Sequence, residues 1–357
     1  MPMTIEGVKW FFERVAEYSF SAFASWSSFT AAIGKIAGTL TDVESGLAWP
    51  YLVASLLIAG VVFVALNRGD ALPPSSFHAF LFPRHIYHHP SAVLDYRFYL
   101  ISIVLKFLLW VPILAGMGTL GYKVMKLVLI GYALWEPPKT LPLAWLFVAV
   151  LGFYLLYDFV NYWAHVLFHK VPMLWSFHRV HHSAEVMTPI TAYRAHPMEF
   201  FFIAILQAPV VGLAGVFYQN LPAHDMQATT IFGMSIVSFV YGLSGFHLQH
   251  SHLPISYGPL LNRIIVSPIQ HQVHHSIDPR HHNKNFGVKF AVWDALFDTL
   301  YVPKAPETIQ VGLPGVDPRE FSTVCQLYFL PFKKSVKECI GLARKLLPAG
   351  LSLERYR

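Results

Sequence analysis

Five stretches of the sequence, each roughly 19–22 residues and poor in charge, are long enough to cross the apolar layer of a bilayer as a helix. They lie at about 48–66, 98–119, 141–160, 198–218 and 228–246. Inside lipid every backbone N–H and C=O must find its partner within the chain, so a spanning run of this kind folds as a helix. Composition agrees: 13% of residues are charged and 55% apolar, against roughly 25% charged in soluble domains. Mean hydropathy is +0.46. The stretch 120–134 is shorter and carries Lys123 and Lys126, which places it at the interface. Residues 7–36 mix aromatic and charged side chains and predict an amphipathic surface helix. No short apolar core with a cleavage site opens the chain, so no cleaved signal peptide is expected.

The formal net charge is +6, but Lys and Arg are dispersed and flank apolar runs. Anionic headgroups explain that balance more simply than nucleic acid does. Arg68, Arg84 and Arg97 put the 67–97 loop on the cytoplasmic side. Counting spans from there brings residues 165–196 and 247–275 to that same side. Two cysteines, Cys325 and Cys339, exclude a disulfide framework and an iron–sulfur cluster bound by this chain alone.

The 19 histidines are grouped rather than scattered. One group is His165 and His169, a second His178, His181 and His182, a third His271, His274 and His275. Residues i, i+3 and i+4 share a helix face, so each group aims its imidazoles one way and three helices can converge on one centre. Eight imidazoles exceed what one tetrahedral zinc takes, which points to two metal ions. Ligand type alone leaves zinc, copper, iron and nickel open. The setting beside lipid favours redox chemistry. A further copy, His85, His88 and His89, is bracketed by Pro83 and Pro90 and reads as an interfacial loop.

These motifs, with Trp175, Phe177 and Glu185, then Thr191, Tyr193, Arg194, His196 and Pro197, then Asn285, Phe286, Gly287, Trp293, Asp294 and Phe297, resemble the sterol desaturase and fatty acid hydroxylase superfamily. The resemblance covers about residues 80–303. The segment from His250 through Gly258 and Pro259 to Ser267 and Pro268 is most similar to the alkylglycerol monooxygenase branch, and also resembles bacterial sterol desaturases. The resemblance implies an all-α fold, an integral membrane helical bundle of about four to five transmembrane spans with a cytosolic histidine-rich cap. It implies a di-iron, dioxygen-dependent enzyme that hydroxylates or desaturates a lipid, with all eight box histidines catalytic. Relatives also use histidines between the second and third boxes, which adds His250 and His196 as metal ligands. Asp298 stands where relatives usually carry Gly. Electrons would come from a separate protein or reductant, or from a pterin in the ether-lipid branch. The domain division expected is 1–46 interfacial, 47–134 transmembrane, 135–303 histidine-box domain and 304–357 a cytosolic helical tail. The absence of an obvious retrieval tail places the chain in a bacterial inner membrane ahead of the endoplasmic reticulum.

Asp158 and Asn161 either orient a ligand imidazole or mark the membrane boundary. Glu185 and Glu199 are candidates to bond ligand histidines, with Glu185 expected at the surface. His247 and His252 are further candidate ligands, and His224 is expected in solvent. Trp293 and Asp294 read as structural, and Lys284 and Asn285 as shaping the loop after the third box. The rivals are a membrane metal transporter, which would carry its ligands mid-span, and a haem carrier with paired histidines inside facing spans.

Overall fold

The computed structural model describes residues 13, 17, 20–40, 47–67, 76–131, 134–231, 234–303, 307 and 309–346. The expectations for the rest of the first twenty residues, for Arg68 and for the end of the tail lie outside these. The described part of the surface segment holds a helix, α1 (Trp26–Ala37), capped by the Ser25 hydroxyl.

Among the described residues four helices are long and apolar enough to cross a membrane: α2 (Trp49–Asn67), α3 (Pro90–Gly131), α4 (Leu143–Lys170) and α6 (Pro197–Tyr218). The chain is a multi-pass membrane protein. Apolar side chains such as Leu57 and Val61 on α2 and Trp145 on α4 face outward, as lipid-facing positions do. The helix α3 is 42 residues long, about 63 Å at 1.5 Å per residue, twice the hydrocarbon thickness. Its first turns leave the span: Leu94 and Phe98 are buried with Val180, Phe321 and Leu327 in the core of the cap. At its other end residues 120–131 continue the same helix, where a separate interfacial piece was expected. The reason is close packing on α6. A Cβ on Gly121 would stand 2.4 Å from the Ala208 carbonyl oxygen, and one on Gly212 2.4 Å from that of Gly121. Two backbones in contact without side chains between them hold this stretch against the bundle.

Among the described residues no fifth span forms over 228–246. After α6 the chain makes a two-stranded ladder, β1 (Thr230–Ile231) with β2 (Met234–Ser235), and then the eight-residue helix α7 (Ile236–Leu243). The run is apolar enough for a span, but Gly245 adopts φ +83° and ends the helix, a conformation glycine enters without steric cost. The return leg nevertheless packs on α2: Tyr51 meets Phe239 and Phe246, and Ala59 shares a buried cluster with Leu248.

The cap is built on the ends of these helices. Only Val171 separates α4 from α5 (Pro172–His182). The third box lies on α8 (Pro268–His274), a seven-residue helix buried along its whole length. Neighbouring side chains pin it. Gln270 Oε1 accepts from the Ser267 amide, and Gln272 Nε2 donates to the carbonyls of Ser251 and Leu253. The C-terminal helix α9 (Val324–Leu346) packs on α5 from outside. Arg194, 1% exposed, fastens these parts: it pairs with Asp95 at 2.8 Å and donates to the carbonyls of Val180 and Phe321.

Candidate metal centre

Nine histidines form two adjoining groups. His165, His169, His178, His182 and His274 make one; His181, His250, His271 and His275 make the other. Within each group one ring nitrogen per residue lies within 4.8 Å of all the others. The groups abut, with the His182 and His275 rings 4.3 Å apart. Both boxes of the His-x-x-His-His type are divided between them in the same way. His178 and His182 go to the first group and His181 to the second; His271 and His275 go to the second and His274 to the first. Helix geometry requires such a split. Residue i+4 lies ~40° from residue i, while i+3 lies ~100° from i+4.

Hydrogen bonds fix the rings. His165 Nδ1 donates to the Phe286 carbonyl at 2.8 Å, His274 Nδ1 to the Lys284 carbonyl at 2.9 Å, and His178 Nδ1 to Glu199 Oε2 at 2.6 Å. A carbonyl can only accept, so Nδ1 carries the proton and Nε2 of a neutral ring presents a lone pair. His165 Nε2 and His178 Nε2 then face each other at 3.1 Å, lone pair to lone pair. The Nε2 atoms of His169, His182 and His274 are buried without a hydrogen-bond partner among the described residues. In the second group Nε2 of His250 stands 3.1 Å from that of His181 and 2.9 Å from that of His271, which is 3.2 Å from that of His275. Nitrogens ~2.1 Å from a common ion and at right angles about it would be ~3.0 Å apart. A cation in each group satisfies atoms that otherwise repel or go unpaired.

Electrostatics point the same way. Burial, reinforced by neighbouring histidines, holds His181, His182, His271 and His275 well below the ordinary imidazole value. Burial above all brings His250 and His274 down to about 3. Neutral imidazoles are the form that binds metal.

The fatty acid hydroxylase family matches residues 150–299, a segment that contains all nine histidines. Over this segment, somewhat under half of its length, the chain is similar to the fatty acid hydroxylase family. Among its relatives is the ornithine lipid hydroxylase OlsE of Rhizobium tropici, 31% identical over 59% of this chain and 57% of that protein. The alkylglycerol monooxygenase of Danio rerio is 28% identical over 53% and 38%, and human cholesterol 25-hydroxylase 28% identical over 43% and 51%. The matched regions thus span about half the length of these curated relatives. No solved structure matches the chain.

Nine of the ten histidines expected as ligands come together, His250 included. His196 does not. It caps α6, its Nδ1 accepting from the Met198 amide at 3.1 Å and its Nε2 donating to the Tyr328 carbonyl at 2.9 Å. Both nitrogens are committed to backbone, and that replaces the ligand role expected for it. His247 is buried against Phe246, and His252 donates to the Phe80 carbonyl; neither joins a group. His85, His88 and His89 also stay out, with His89 capping α3. His224 faces solvent beside Asp225.

Around the groups, Glu199 bonds a group histidine while Glu185 lies at the surface. Asp158 does not touch an imidazole. Its Oδ2 accepts from Trp293 Nε1 at 3.0 Å and from the Phe290 amide at 3.2 Å, tying the span to the loop that supplies the Phe286 carbonyl. Asn161 bonds Gln207 of α6 at 2.6 Å. Asp294 takes the amides of Phe286 and Gly287, and Asn285 bridges the Gln270 and Tyr301 carbonyls. Asp298 has φ +57°. This is the left-handed region, which Gly would enter freely and which Asp, the residue found here in place of the expected Gly, is one of the few side chains to tolerate. Sequence reasoning missed the carbonyls of Phe286 and Lys284 as imidazole acceptors, since no side-chain motif reports a backbone group. It also missed the Arg194–Asp95 pair, whose members are 99 positions apart.

Proposed function

We propose that this chain is a di-iron, dioxygen-dependent membrane enzyme that hydroxylates or desaturates a C–H bond of a lipid. The observation that carries the reading is a cavity of about 510 Å³ that borders both histidine groups, touching His165, His178, His181, His250 and His271. The rest of its wall is largely aromatic and aliphatic, including Phe168, Ile203 and Phe246. An ion path would need polar walls, so the cavity favours a lipid chain over a transported metal. Iron held by the two groups would supply reduction of dioxygen and removal of hydrogen from carbon.

The chain's own residues do the rest. The Phe286 and Lys284 carbonyls and the Glu199 carboxylate lock three imidazoles with Nε2 toward the centre. Apolar walls exclude water and align the target carbon. Hydroxylation consumes dioxygen, two electrons and two protons and releases one water; desaturation consumes the same and releases two. The electrons come from a separate donor protein or a small reductant such as a pterin. We place the histidine face on the cytosolic side, from the loop charges, and the chain in a bacterial inner membrane.

The test is His274→Ala in the full chain, expressed in a host whose lipids are profiled with and without it. The intact protein should purify with about two irons and no haem absorption, and should yield an oxidised lipid. The variant should insert normally and lose at least about 100-fold of turnover, more than the effect of an outer-shell change. Unchanged turnover would overturn the site. Metal-dependent transport into vesicles without lipid oxidation would overturn the function.

A further inference from the structure

The same cavity holds one ammonium group. Lys289 lines it, and its Nζ stands 4.4 Å from the ring centre of Tyr154, 5.6 Å from that of Tyr157 and 5.8 Å from that of Tyr241. Among the described residues this ammonium makes no hydrogen bond and no ion pair. Asp158 feels its charge without pairing with it: Oδ2 is spent on Trp293 and Phe290, and the buried Oδ1 has no hydrogen-bond partner among the described residues. Three aromatic faces hold a cation in place without neutralising it. Beside it the buried Tyr154 hydroxyl also lacks a partner among the described residues. An ammonium and an idle hydroxyl on a cavity wall that is largely aromatic and aliphatic away from the histidine groups are costly unless something fills them.

Their position along α4 is informative. From Leu143 to Phe153 the helix carries no charged side chain; then come Tyr154, Tyr157, Asp158, Tyr162 and Trp163. Such a band marks the level at which headgroups meet the apolar layer. Tyr154 and Tyr157 precede His165 by 11 and 8 residues, or about 16 and 12 Å along the helix.

We propose that Lys289 and Tyr154 anchor an anionic group, carboxylate or phosphate, on the lipid that enters this cavity. The substrate class is then an anionic lipid whose charge sits on the Lys289 and Tyr154 wall while a carbon further along it reaches the histidine groups. The proposal rests on the cavity being the lipid site, and Lys289 acts in it as a specificity-determining residue.

The experiment measures binding of three probes to the full chain in phosphatidylcholine nanodiscs: palmitate, palmitoyl lysophosphatidate and neutral monopalmitoylglycerol. At least one anionic probe should bind about tenfold or more tighter than the neutral one, the scale of one partly desolvated charge pair. Whichever anion leads identifies carboxylate or phosphate. Lys289→Gln should erase the preference, Lys289→Arg should keep it and so report on folding, and Tyr154→Phe should weaken it. Equal binding of all three probes, or a preference that survives Lys289→Gln, overturns the anchor but leaves a lipid cavity. If the cavity-filling change Ile203→Trp affects none of the three, the lipid-site reading falls together with the anchor.

Discussion

Glu199 shows how much one side chain settles here. Its Oε1 accepts from the His196 amide at 2.9 Å and closes the first turn of α6, while Oε2 takes the His178 Nδ1 proton at 2.6 Å. One carboxylate therefore starts a membrane helix and orients a ring facing the candidate metal position. Both donors need an acceptor, and an amide has only one to offer. Glu199→Gln must turn its NH2 toward one of them. Metal affinity should fall about 10- to 100-fold, the usual cost of losing a partner behind a ligand imidazole. Competition of the purified protein against a chelator measures it. An unchanged affinity would mean that His178 is held by packing alone.

At the scale of elements, the contact between α3 and α6 is made by absent side chains. Gly121 and Gly212 sit back to back, and Tyr122 completes the seam by donating to Gln219 Oε1 at 3.0 Å. A Cβ at position 121 has only backbone to push against, since its nearest neighbours are the carbonyl and Cα of Ala208. Gly121→Val should separate the helices and cost about 1–3 kcal/mol, as overpacking does. A lower thermal midpoint in detergent would record it. Gly34, with nothing within 4 Å of the added carbon, gives the control, because Gly34→Ala should leave the midpoint unchanged or raise it slightly.

Over the whole molecule, packing nine imidazoles together makes the metal-free fold sensitive to acid. In the fold His250 and His274 hold their protons only below about 3; unfolded, they would take them up near 6.5. Between those values the unfolded chain binds more protons, so stability rises with pH. The stabilisation is complete above about 6.5 and is lost progressively as pH falls toward 3. Thermal midpoints of chelator-treated protein at pH 7.5, 6 and 5 should therefore decline in that order. A flat series would contradict the burial of these rings. Bound metal should leave over the same acidic range, because imidazole must be neutral to bind it.

The four spans and the grouping of the box histidines were legible in the sequence by itself, because both depend on local spacing: apolar length for a helix that crosses lipid, and i, i+3, i+4 intervals for a shared face. The division of His178 and His182 from His181 also follows from that arithmetic once two centres exist. What spacing cannot convey is how helices are rotated and brought together. Tertiary packing placed His250 in a group and turned His196 to the backbone. It made Phe286 and Lys284 acceptors for imidazoles through their carbonyls. It also stopped the fifth apolar run after eight residues of helix at Gly245. The contacts of His250 with His181, of His196 with the Tyr328 carbonyl and of His165 with the Phe286 carbonyl join residues 69, 132 and 121 positions apart, and no local interval encodes them.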